Sequence, residues 1–138
     1  MKRIAFLTIL LAVLFAVGGA AASAQKKQRL NQTPKAFQTF YNKFKNAVVK
    51  KDKAAVAALT EFPLKYGFDA GDEGTFTKTQ FLERFDDIFG GDSTFLQKNP
   101  VLQETDGNYI LFIDSEATSY AFDKKGASYK FTGYFVEP

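Results

Sequence analysis

Glu61-Phe62-Pro63-Leu64-Lys65-Tyr66-Gly67-Phe68 carries an aromatic or aliphatic residue at every second position. Period two puts Phe62, Leu64, Tyr66 and Phe68 on one side of a strand. Pro63 has no N–H for a ladder, so this strand is expected at a sheet edge or with an irregular start. On either side the period changes. Upstream, Phe37, Phe40, Tyr41, Phe44, Ala47 and Val48 recur at helical spacing, with Lys and Gln opposite them. Thr33-Pro34 reads as that helix's N-cap and first position. Asp52 is placed to cap a second, shorter helix over residues 53–59. Downstream, Thr77 and Gln80 fit a capping box, and Phe81, Leu82, Phe85, Ile88 and Phe89 form the stripe of a third helix ending at Gly90-Gly91.

The remainder reads as strands. Residues 101–105 are short, Asp106-Gly107-Asn108 is a turn signal, and residues 109–113 are mostly apolar. Residues 117–123 form another strand, Lys124-Lys125-Gly126 turns the chain, and residues 127–136 close it. Residues 69–75 read as a glycine-and-acid loop and residues 92–100 as a connector. Helices followed by a run of strands predict an α+β fold, with three helices packed on one face of an antiparallel sheet.

Residues 1–24 read as a secretory signal peptide. Lys2 and Arg3 precede an apolar run over 4–17, and Ala22-Ser23-Ala24 is a small-x-small site, so cleavage is expected after Ala24. The apolar run is shorter than the ~20 residues a bilayer span needs, so no stable membrane span is expected after cleavage. The protein is thus expected to be periplasmic or secreted. Residues 25–32 read as a flexible polar tail and 33–138 as a single α+β domain. The leader holds two of the 18 basic residues and none of the 15 acidic ones, which leaves a mature chain close to neutral. Residues 25–65 hold ten basic and two acidic residues, and residues 66–138 hold six basic and thirteen acidic. The lysines of 43–53 read as the wet face of a helix. An exported chain is expected to have no nucleic acid partner.

The chain has no Cys and no His. That removes disulfides, thiol catalysis, Ser-His and Cys-His pairs, and the usual zinc ligands. Asp69-Ala70-Gly71-Asp72-Glu73-Gly74 lacks the alternating oxygen ligands of a calcium loop and reads as a polar turn. No glycine-rich phosphate loop opens a helix, so no metal and no cofactor is expected.

Three patterns carry a family resemblance: Phe37-x-x-Phe40-x-x-x-Phe44, then Val56-Ala57-Ala58-Leu59-x-x-Phe62-Pro63-Leu64, then Phe81-Leu82-x-x-Phe85-x-x-Ile88-Phe89. With the element order, they resemble the nuclear transport factor 2-like superfamily, and its small exported bacterial members in particular. The resemblance implies helices over a strongly curved sheet, with a cone-shaped pocket between them. It also implies that catalysis in such a pocket, where present, can run without His, on an Asp base with Tyr or protonated-acid donors.

Asp114 follows the apolar run 109–113 and is the candidate base, since a carboxylate in an apolar pocket gains a raised pKa and can shuttle protons. Tyr66, Tyr109 and Tyr120 are the candidate donors, with Tyr66 named beside Asp114 as catalytic. Tyr66, Tyr109, Phe112, Tyr120, Phe122 and Tyr129 are the expected pocket lining. Aromatic pockets take flat apolar ligands. The function expected is an exported, non-enzymatic binding or interaction module for a small apolar ligand or a protein. The alternative is an isomerase or dehydratase using an Asp/Tyr site. A homodimer through the outer sheet face, with Tyr134 and Phe135 exposed on the last strand, is the remaining expectation.

Overall fold

The computed structural model describes residues 25–68, 71–90, 98–113 and 117–137. The expected leader over 1–24 and the candidate base Asp114 lie outside the described residues. The elements run β1 (Lys26–Arg29), a 3-10 turn (Leu30–Gln32), α1 (Lys35–Val49), α2 (Lys53–Ala58), β2 (Thr60–Gly67), β3 (Glu73–Phe76), α3 (Lys78–Glu83), α4 (Phe85–Phe89), β4 (Val101–Thr105), β5 (Asn108–Ile113), β6 (Thr118–Lys125) and β7 (Ser128–Val136). The fold class is α+β. The seven strands form one curved, unclosed sheet in the order β1-β4-β5-β6-β7-β2-β3.

The alternating stretch is a strand, but it does not sit at an edge: β2 lies between β7 and β3. Pro63 falls inside the register shift between Thr60 and Lys65, where β2 parts from β7 and no N–H is needed. The β2–β7 pair is parallel, so the expected all-antiparallel sheet is in fact mixed. Among the described residues, all other strand pairs are antiparallel.

Residues 26–29, expected as a flexible tail, pair with β4 from Lys26 opposite Glu104 to Arg29 opposite Val101. An edge strand wet on both faces is held by its ladder alone, so it shows no apolar alternation. The expected glycine-and-acid loop likewise contains β3, which pairs with β2 from Leu64 opposite Phe76 to Gly67 opposite Glu73.

Four α-helices are described, not three, because the third stripe breaks at Arg84 into α3 and α4. Phe81, Phe85, Ile88 and Phe89 stay buried through the break. The caps act locally. Asp52 accepts from Ala55 N–H at 3.1 Å, and Thr77 accepts from Gln80 N–H at 3.2 Å while Gln80 reaches back to Thr77 N–H at 2.9 Å. Thr33 does not cap α1. Its hydroxyl donates to the Leu30 carbonyl at 2.6 Å, and Pro34 holds the cap position.

The core lies between the helices and the inner face of the sheet. Phe37 and Phe44 of α1, Phe81 of α3, Phe122 of β6 and Phe131 of β7 are all fully buried in it.

Candidate functional site

The first place to look is the space under α1, where the sequence predicts a lined pocket. Tyr109, Tyr120, Phe122 and Tyr129 do face it together, but they fill it rather than line it. Phe122 is fully buried, with ring centroids 5.2 Å from Phe44, 5.8 Å from Phe40 and 5.9 Å from Tyr41. Tyr109 stacks on Phe37 at 4.1 Å, and Tyr129 meets the same ring edge-on at 5.0 Å. The rings of α1 thus occupy the volume that a cone-shaped pocket needs.

Tyr120 stacks on Phe89 at 5.7 Å, and its hydroxyl donates to the Ile88 carbonyl at 2.6 Å. That hydroxyl ties α4 to β6 and is committed to structure. Burial, then the neighbouring Tyr129 phenol, then the Glu104 carboxylate raise the Tyr109 pKa above its ordinary value. Burial raises that of Tyr129 as well. Both phenols therefore stay protonated near neutral pH.

Tyr66 lies apart from this group, on the β2–β3 hairpin. Its ring stacks on Phe76 at 4.3 Å and covers Gly74, where an added Cβ would come within 2.7 Å of the Tyr66 hydroxyl oxygen. Gly74 gives that ring its room, and a larger residue there would have to push the Tyr66 ring aside. The structure assembles Tyr109, Tyr120, Phe122 and Tyr129 in the core and leaves Tyr66 outside that cluster.

Phe112 departs furthest from the expected pocket lining. It stands three residues after Tyr109 on β5, so it faces the opposite side of the sheet. Leu102 lies opposite Leu111, which sets Val101 and Phe112 side by side on the outer face. They are 45% and 38% exposed, among the most exposed large apolar side chains described. The next row runs Lys27, Gln103, Ile110, Ala121, Gly133, Lys65 and Thr75 across all seven strands. Arg29 lies opposite Val101. Lys27, Val101, Gln103, Ile110 and Phe112 together bound a groove of about 510 Å³.

The rest of the outer face is cut low. Ser119 lies between Phe112 and Phe135, and Ala121 lies beside Gly133. The Phe135 ring folds over Gly133, where an added Cβ would meet it at 2.6 Å, and reaches Gly67 on β2. Tyr134, expected beside it on the outside, is buried against Tyr120 at 5.7 Å.

Two other hollows have a different character. One, of about 610 Å³ between α2 and α3, is bounded by Lys53, Ala54, Lys78, Thr79, Leu82 and Glu83, with Leu82, Ala54 and the alkyl stems of its lysines making the lining largely apolar. The other, of about 220 Å³, lies beside the exposed Lys125–Glu61 ion pair at 3.0 Å. Among the described residues no three acidic side chains converge where a metal ion could be held. No described helix is long and apolar enough to cross a membrane.

Sequence reasoning missed the groove because its cations sit on β1, which carries no strand signal. The parity of Tyr109 and Phe112 within one strand was the available clue. In the comparisons with known proteins, no family model, no curated protein and no solved structure matches the chain.

Proposed function

We propose that this is an exported, non-enzymatic binding module whose contact surface is the outer sheet groove, not the space under the helices. The observation that carries this reading is the open Val101–Phe112 pair on a sheet face away from the described helices, set against an inner face packed ring to ring. Adjoining exposed apolar side chains rimmed by polar ones are the form that a ligand-binding groove takes. The helices laid over one face of a curved sheet also support the nuclear transport factor 2-like resemblance, with its cone closed by aromatic side chains. An Asp/Tyr enzyme needs open space beside its tyrosines. Tyr109 and Tyr120 lack it, so their packing favours binding over catalysis.

Nile red, an uncharged dye that brightens on apolar surfaces, tests the reading with the chain from Gln25 onward. The dye should brighten with the native protein and should lose most of that signal in Phe112→Asp, at unchanged circular dichroism. A native protein that leaves the dye dark, or a signal that survives Phe112→Asp, would refute the assignment of the surface.

A further inference from the structure

We infer that the outer groove takes a free single-chain amphiphile with an anionic head, such as a long-chain carboxylate. Its chain would lie along Val101, Ile110 and Phe112, and its head against Lys27 and Arg29. The inference rests on the binding reading above and adds the chemistry of the ligand.

Lys27 and Arg29 are two residues apart on β1, so both side chains leave on the outer face, about 6.6 Å apart along the strand. The register sets Arg29 directly beside Val101 and Lys27 beside Gln103, with Ile110 the next side chain in the Lys27 row. Among the described residues neither cation has a carboxylate within ion-pair distance. Arg29 has only a long contact, its Nη1 donating to the Asn99 carbonyl at 3.4 Å. Beside the groove the face runs from the cations at the β1 edge, through Val101 and Gln103 on β4 and Ile110 and Phe112 on β5, to the low Ser119 and Ala121 on β6.

A neutral apolar ligand would strip water from the cations and return nothing for it. An anionic head restores that lost solvation, and two donors in a row suit a two-oxygen group. The groove's volume of about 510 Å³ falls within the usual range for small-molecule sites, ~300–1,000 Å³. A groove bounded by five side chains fits one chain, whereas a bilayer contact calls for a broad surface of projecting apolar residues.

The test uses dansyl-undecanoic acid and its methyl ester, followed by dansyl fluorescence on the chain from Gln25 onward. The acid should bind saturably, and the ester on the order of tenfold more weakly. The double variant Lys27→Gln/Arg29→Gln should bind acid and ester alike. Its retained ester and Nile red signals would show that the fold and the apolar floor persist. Laurate below its micelle concentration should displace the acid, and phosphatidylglycerol vesicles should not. Equal affinity for acid and ester in the native protein would overturn the head-group assignment while Nile red binding kept the surface itself. Displacement by vesicles alone would overturn the free-ligand claim. Loss of Nile red binding at the native groove would instead bring down the reading underneath.

Discussion

The two faces of this sheet are made by the same strands and differ in nearly every physical respect. The inner face presents Leu111, Tyr120, Phe122, Phe131 and Tyr134, all buried. The outer face presents Ser119, Ala121 and Gly133 along its middle, with Val101, Ile110, Phe112 and Phe135 as its larger apolar residues. Inside, bulk meets bulk, and the rings of α1 and α4 take the volume between layers. Outside, small residues keep the surface low, and one ring, Phe135, lies flat on glycine. The lesson is that aromatic content alone does not indicate a pocket. A ring-rich face opposite a ring-rich helix closes up, and the opening forms where few large side chains face water.

Removing a ring from the inner face should be the most damaging change. Phe122→Ala should cost about 3–5 kcal/mol in urea unfolding, since five neighbouring rings border the cavity it leaves. A loss no larger than a surface change would mean that the inner face is loosely packed, and the contrast between faces would break. Gly133→Ala should cost about 1–3 kcal/mol, because its Cβ must displace the Phe135 ring. The penalty should shrink when Phe135→Leu is made first, which a double-mutant unfolding series would measure. Tyr120→Phe should cost about 1 kcal/mol through the lost hydroxyl donor to Ile88, at unchanged Nile red binding.

Alkaline titration sharpens the same contrast. The folded state keeps the Tyr109 and Tyr129 protons where the unfolded chain gives them up. Their contribution is therefore complete below pH 10.0, the ordinary phenol value, and is lost as pH rises above it. Melting temperature should fall in that window, and phenolate absorbance should lag behind that of denatured protein. The double variant Tyr109→Phe/Tyr129→Phe should flatten the fall. The smallest effect is expected outside: Phe112→Ser should shift stability by less than about 0.5 kcal/mol while removing dye binding.

What could be read from the sequence was local. The α1 stripe, the Asp52 cap, the Thr77–Gln80 box and the alternation through Phe62, Leu64 and Tyr66 each follow from neighbouring residues, and each stands in the fold. The parallel β2–β7 pairing depends on contacts about 70 residues apart in sequence, as Thr60 with Phe131, and leaves no local trace. The break at Arg84 interrupts neither the stripe nor its burial, so periodicity is blind to it. The filling of the space under α1 was hidden for a related reason: the approach of Phe37 to Tyr109 depends on how closely α1 sits on the sheet. Lys26–Arg29 was missed because a polar edge strand and a polar tail have the same composition.

The order of pairing has a consequence for how the chain is made. β1 must wait for β4, and β2 must wait for β7, the last strand described. As synthesis proceeds, α1 has no surface to settle on until Phe122 and Phe131 have emerged, so its greasy side stays wet almost to the end. Stopping the chain short of Ser128 therefore leaves an unfinished, sticky polypeptide instead of a smaller stable unit.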